Sequence, residues 1–290
     1  MMFEGFQEQR IEVSETEIHL RRGGSGPPLL LVHGYPQTHV MWHRVAPTLA
    51  KHFTVVAPDL RGYGASGKPP AGSDHAGYSK RAMARDLVEV MAALGFDRFS
   101  LVGHDRGARA SYRLALDHPG AVEKLVLLDI VPTSVQLAQV DWQGCFRAYH
   151  WYLLAQPAPF PETLIGNNAE FFIRHTLENG CHVAGAFSEE AMAAYIAACT
   201  PETIRGMCDD YRAGMFVDRV LDTEDREAGR TIACPTLVVW GDAGGTRPSY
   251  LDPWKDWATD LRGSSLDCGH FLAEEAPEEL VAELLPFLGG

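Results

Sequence analysis

A doubly wound, mostly parallel α/β sheet, opened by an antiparallel hairpin and interrupted by a helical insertion, is the fold class this sequence predicts. Three observations predict it. Short continuous apolar runs end at glycine or aspartate, as strands buried on both faces do. Helical stretches alternate with those runs up to residue 130 and again from 235 onward. Between them, about 132–230 carries no convincing strand and many helical signals.

The elements follow in order. FQEQRIEV (6–13) and TEIHLRR (16–22) alternate partially and read as a hairpin. PLLLVHG (28–34) and FTVVAPD (53–59) are buried strands, with a helix over VMWHRVAPTLAKH (40–52) between them. From Ser79 to Leu94, Met83, Leu87, Val90, Met91 and Leu94 recur at helical spacing, with Ser79 to cap the start and Gly95 the end. FSLVGHD (99–105), VEKLVLLDI (122–130), PTLVVWGD (235–242) and a weaker GSSLDCGH (263–270) complete the strands. APEELVAELLPFL closes the chain as a helix opened by Pro277. The insertion includes PETIRGMCDDYRAG, with Thr200 as cap and Pro201 in the first turn. We therefore expect a core of residues 1–131 and 231–290, with 132–230 as a helical cap over the carboxyl ends of the strands, where ligands bind in such sheets.

With 46% hydrophobic residues the chain can bury a sizeable core. A formal charge of −13 argues against nucleic acid or an anionic membrane surface as partner. The same field repels an anionic substrate, so any anion site must be built locally from buried cations. No signal peptide or membrane-length apolar run is visible. The six scattered cysteines lack metal-ligand spacing and read as reduced thiols of a cytoplasmic protein.

The chemistry centres on LVGHDRGARASY (101–112). Gly103-x-Asp105-x-Gly107, after a strand and before a helix, matches the nucleophile elbow with aspartate in place of serine. The competing explanation is a helix N-cap, in which Asp105 binds its own helix amides. A carboxylate attacking a carboxylic ester gains little. Attack on a saturated carbon bearing a leaving group makes an alkyl ester that water can hydrolyse. His270, in DCGHFLAEE, is placed to be the base for that second step. Asp129, at the end of LVLLDI, is the favoured acid to orient it, and Asp242 is the alternative. Asp59 and His33 read as loop-shaping residues. The Tyr35 and Arg106 backbone N–H groups form a candidate oxyanion hole.

Arg106 and Arg109 share one helix face at a helix N-terminus, where cations oppose the dipole. Breaking that local rule suggests a guanidinium clamp on a substrate carboxylate. Pairing with acids such as Asp86 or Asp117 is the alternative.

HGYPQTHVMWHRVAP, DLRGYGASGKP, GHDRGARASYRLALDHP, LVLLDIVPT, HWYLLAQPAPFPE and CGHFLAEEAPEEL together resemble the haloacetate dehalogenases of the α/β-hydrolase superfamily, in particular the fluoroacetate dehalogenases. The resemblance implies an α/β-hydrolase fold with a cap, Asp105 as nucleophile, Asp129 as acid and His270 as base. It implies carboxylate binding by Arg106 and Arg109, and a halide pocket of His150, Trp151 and Tyr211. A homodimer without metal or organic cofactor is the accompanying expectation. Haloalkane dehalogenases and many epoxide hydrolases of this superfamily carry tryptophan directly after the nucleophile; here that residue is Arg106, which suits a substrate with a carboxylate. An epoxide hydrolase using the same Asp105 and His270, with Tyr149, Tyr152, Tyr195 or Tyr211 as proton donor, is the main rival. A non-enzymatic ligand receptor is the other.

Overall fold

The computed structural model describes residues 2–245 and 249–289. Its strands are β1 (Gln7–Glu12), β2 (Glu17–Gly23), β3 (Pro28–Val32), β4 (Thr54–Pro58), β5 (Phe99–His104), β6 (Val122–Leu128), β7 (Thr236–Gly241) and β8 (Leu261–Leu266). They form one sheet in the order β1-β2-β4-β3-β5-β6-β7-β8. β1 pairs antiparallel with β2 and β2 with β4, as the hairpin reading expects. All later pairs are parallel. β4, β5 and β7 are buried along their whole length, which explains their continuous apolar runs.

The helical signals hold at their ends. Ser79 Oγ accepts the N–H of Ala82 at the start of the helix Lys80–Ala93, and Gly95 takes φ +85° just beyond it. Thr200 caps Pro201–Ala213 in the same way. Two readings differ from the structure. The helix expected over 40–52 is two short turns, His39–Trp42 and Ala46–Leu49, with Pro47 opening the second. The last strand stops at Leu266. Cys268 N–H turns back to the Leu266 carbonyl, which puts His270 on a loop rather than at the strand end.

Between β6 and β7 the regular elements are all helical, from Thr133–Ala138 to Arg219–Glu227, with loops between them and a single bridge residue at Ile232. One turn, Gly214–Asp218, is a π-helix continuing Pro201–Ala213. The sheet order reverses direction around β3, which has β4 on one side and β5 on the other. In open α/β sheets such a reversal opens a crevice beyond the strand ends, and here β5 delivers Asp105 to it.

Candidate active site

β5 ends at His104 and the helix Arg106–Asp117 begins at once, leaving Asp105 alone at the corner with φ 45°, ψ −115°. A non-glycine residue at positive φ is strained. Close packing of glycines makes room for it. A Cβ on Gly103 would sit 2.7 Å from Ala108 Cα, and one on Gly107 2.2 Å from the His33 carbonyl oxygen. A Cβ on Gly34 would meet Asp105 itself, 2.6 Å from its Cβ. The Asp105 side chain makes no bond to its own helix amides, so the N-cap explanation fails. Its Oδ2 accepts the Tyr35 N–H at 3.0 Å. Burial would raise its pKa, but His270, His104, Arg109 and Arg106 together outweigh that and hold it at about 2. The carboxylate is a poised anion with a backbone donor already on one oxygen.

Asp129 follows β6 at φ 51°. Its Oδ2 accepts a hydrogen bond from His270 Nδ1 at 2.6 Å and its Oδ1 accepts the Gly241 N–H at 2.9 Å. Nδ1 therefore carries the proton, and Nε2 is left as the basic nitrogen. Asp242, the alternative acid, sits in the turn after β7, where its N–H donates to the Leu266 carbonyl. His104 packs its ring 4.6 Å from that of His270 and donates Nε2–H to the His270 carbonyl at 2.7 Å. Burial keeps His104 neutral, with its pKa lowered to about 4.

The two arginines are not equivalent. Arg106 is fully buried and binds Asp210, Nε to Oδ2 at 3.0 Å and Nη2 to Oδ1 at 2.5 Å and to the backbone carbonyl at 2.7 Å. Its Nη1 is buried without a partner. Arg109 has no carboxylate partner among the described residues. Its Nη1 reaches only the Val131 carbonyl, at 3.1 Å, and Thr133 Oγ1, at 3.0 Å, and its Nε is unpartnered. Burial lowers its pKa from the usual arginine value, as expected of an isolated buried cation. The acids suggested as alternative partners are taken elsewhere. Asp86 binds Arg61, and Asp117 binds Arg81 and Arg113. Arg106 does have an acid, but it is Asp210.

Aromatic groups from the insertion close the site. The Trp151 ring lies 4.7 Å from the Arg109 guanidinium and 5.2 Å from that of Arg106. Tyr211 lies under Arg106 at 4.3 Å and packs edge-on to Trp151 at 5.5 Å. His150 stacks on Tyr35 at 5.5 Å and meets Tyr211 edge-on at 5.7 Å. Burial pushes the His150 pKa down to about 4, so it is a neutral imidazole. The Tyr211 hydroxyl is buried without a partner; burial raises its pKa well above normal, and the nearby Asp105 charge pushes it further. The structure thus brings Asp105, Arg106, Arg109, Tyr35, His150, Trp151 and Tyr211 into one set of contacts, with the Asp129–His270 pair close enough for His270 to lower the Asp105 pKa.

Residues 27–277 match the family model described as the alpha/beta hydrolase fold. The chain belongs to the α/β hydrolase fold family. It is 47% identical to a fluoroacetate dehalogenase from Burkholderia sp, over 99% of this chain and 95% of that one. It is 32% identical to a soluble epoxide hydrolase from Corynebacterium sp. (strain C12), over 95% and 94%. A solved structure from Nostoc sp PCC 7120, assigned to the α/β hydrolases, superimposes with a TM-score of 0.96 at 49% identity, covering 99% of each chain.

Within this family frame, some working residues escape sequence reading. Asp210 accepts bonds from Arg106, Lys80 and the Tyr63 hydroxyl, the last at 2.7 Å. Burial opposes its ionisation, but Arg106 and Lys80 hold its carboxyl well below the usual range. A signal existed: buried arginines demand an acid, and Asp210 immediately precedes Tyr211. Thr133, which fixes Arg109, had none. Asp59 and His33 do shape loops. Asp59 accepts from His39 N–H and Nδ1, both at 2.8 Å, and from His19 Nδ1 and Ala65 N–H, both at 2.9 Å. His33 Nε2 accepts the Leu60 N–H at 3.0 Å.

Proposed function

We propose that the protein is a hydrolytic dehalogenase that converts a haloacetate, fluoroacetate or chloroacetate, to glycolate and halide through an ester on Asp105. An Asp105 oxygen attacks the carbon bearing the halogen, the carbon–halogen bond breaks, and the halide leaves with the electron pair. Water, losing a proton to His270 Nε2, then attacks the ester carbonyl. Glycolate departs and Asp105 is restored. Asp129 stabilises the imidazolium formed in that step. The Tyr35 N–H, already on Asp105 Oδ2, supports the charge that develops there during hydrolysis. His150, Trp151 and Tyr211 supply donors for the departing halide, and the unpartnered Tyr211 hydroxyl fits that role.

The observation that carries this reading is Arg109, a buried cation with no carboxylate partner among the described residues, close enough to Asp105 to lower its pKa. A substrate carboxylate completes it, with Arg106 Nη1 as a second donor. In a protein of net charge −13 the anion must be attracted by such a local charge. The test is Arg109→Leu. We expect kcat/KM for chloroacetate to fall about 100-fold, because the substrate anion is left buried without a counter-charge. The thermal midpoint should hold or rise, since an uncompensated buried charge has been removed. A loss of stability with unchanged kcat/KM would refute the carboxylate role.

An epoxide hydrolase would leave Arg109 without a task. Of its possible proton donors, Tyr195 is already bonded to Glu274 and Gln37, and only the Tyr211 hydroxyl is both buried and coupled to Asp105. Diol formation from a neutral epoxide, with no halide release from haloacetates, would favour that alternative.

The division into a core of 1–131 and 231–290 and a cap of 132–230 is part of the proposal, as is a homodimer in the cytoplasm. Supporting the dimer, the insertion exposes the large apolar side chains Trp142 (75%), Phe146 (80%), Phe160 (54%) and Phe171 (70%), which a second copy could cover. All six cysteines are free thiols, and no helix among the described residues is long and apolar enough to cross a membrane. Sedimentation should give a dimer that Trp142→Glu with Phe146→Glu converts to monomer. A wild-type monomer would discard the dimer.

A further inference from the structure

Glu275 closes the short helix Leu272–Glu275, five residues after His270, and is buried. Its Oε1 accepts the Phe271 N–H at 2.9 Å. Its Oε2 accepts three more: Gly269 N–H at 2.9 Å, His182 N–H at 2.6 Å and Val183 N–H at 2.9 Å. Two of these donors flank His270 and two come from the helical insertion. The remaining peptide groups at His270 are held as well. Its own N–H donates to the Gly180 carbonyl at 3.0 Å, and its carbonyl accepts from His104. The seam is too tight for a side chain. A Cβ on Gly269 would lie 2.7 Å from the Gly180 carbonyl oxygen and from the His182 nitrogen.

A loop carrying a base has to hold its imidazole against water attacking from one direction, while loops are by default the mobile parts of a fold. Four N–H groups converging on one carboxylate stiffen this one through the backbone. We propose that Glu275 is a positioning residue that fixes His270 for ester hydrolysis and couples the base loop to segment 180–183. The inference rests on the reading of Asp105 as nucleophile and His270 as base. It separates the two chemical steps. Alkylation of Asp105 does not use the base, so loosening His270 slows only the second step, in which water adds to the ester carbonyl and gives its proton to Nε2.

The experiment is an acid-quenched single turnover of the full chain with chloroacetate, following chloride release and, by intact mass spectrometry, the carboxymethyl adduct on Asp105. Glu275→Gln turns the acceptor facing Phe271 into a donor, and Glu275→Ala removes all four bonds. We expect chloride release within about twofold of wild type and adduct hydrolysis slowed roughly tenfold in Glu275→Gln and 100-fold in Glu275→Ala, the scale of a small misplacement of a catalytic group. If Glu275→Ala does not fold, Glu275→Gln carries the test alone. Equal slowing of both steps, or of neither, overturns the proposal. His270→Gln is the control. No adduct in that variant would mean that the dehalogenase reading itself fails, whereas an adduct there without one in the Glu275 variants rejects only the positioning role.

Discussion

Asp105→Ala should abolish halide release from fluoroacetate and chloroacetate while leaving the fold intact. The loss is expected to be about 10⁴-fold or more, because no second nucleophile stands at the elbow. Stability should change little. Alanine removes a buried charge and costs no helix cap, since Asp105 makes none, while it keeps the strained φ of 45° and leaves the Tyr35 N–H without its acceptor. Residual haloacetate turnover near the wild-type level would end the covalent reading. Isotope labelling gives the complementary result. In a single turnover in ¹⁸O water, glycolate should leave with an unlabelled oxygen taken from Asp105, and the label should appear in the side chain. The pH dependence of the halide burst follows from the same electrostatics. Asp105 titrates at about 2 and His150 at about 4, so between about pH 5 and 8 the nucleophile stays ionised and His150 neutral, and the burst should be flat. Stability, unlike the burst, begins to fall inside that range, declining as the pH drops from about 6.5 to about 4. His104 and His150 have folded values near 4, below the ordinary 6.5, so the unfolded chain takes up protons first as the pH falls.

Asp129→Asn should have the second largest effect, and on the other step. The Asp129 carboxylate receives Nδ1–H from His270 and N–H from Gly241, one on each oxygen. An amide offers only one acceptor for these two donors. It either loses the Gly241 bond or turns its NH₂ toward Nδ1, which forces the other imidazole tautomer. Loss of the oriented tautomer in a comparable triad costs on the order of 10⁴-fold. We expect ester hydrolysis to slow by about 10³- to 10⁴-fold, with a full first-turnover burst of halide and a stable adduct on Asp105. Asp242→Asn serves as the comparison and should retain activity within severalfold. If Asp242→Asn traps the ester and Asp129→Asn does not, the acid has been misassigned.

How much of this was legible from residues alone depends on how local each signal is. The elbow was readable because a strand, two close-packed glycines and a helix lie within a few positions of Asp105. The helix caps were readable for the same reason, as at Ser79 and Thr200. Long-range choices were harder. Asp129 and Asp242 both end strands, and only the approach of the His270 loop separates them. The partner of Arg106 lies more than a hundred residues away on the helix Pro201–Ala213, so the sequence offered only acids such as Asp86 and Asp117 as the alternative to a substrate carboxylate. Glu275 was invisible as a functional group because its partners are backbone amides, which any sequence would supply. The helical reading failed over 39–49 because Pro47, which has no N–H to continue a helix, opens a second short turn after His39–Trp42.

The ion pairs that cross between the insertion and the sheet layer restrict how a substrate gets in. Asp210 reaches across to Arg106 and Lys80, and Asp222 and Asp225 reach to Arg113 on the same central helix. Swinging the insertion away as a lid would strand these charges in a dry seam, at several kcal/mol for each broken pair. Entry by small side-chain fluctuations, with this seam left closed, is therefore the cheaper route. A passage of that kind admits two-carbon acids quickly and bulkier ones slowly, so selectivity for size would be exercised on the way in, before any bond is made.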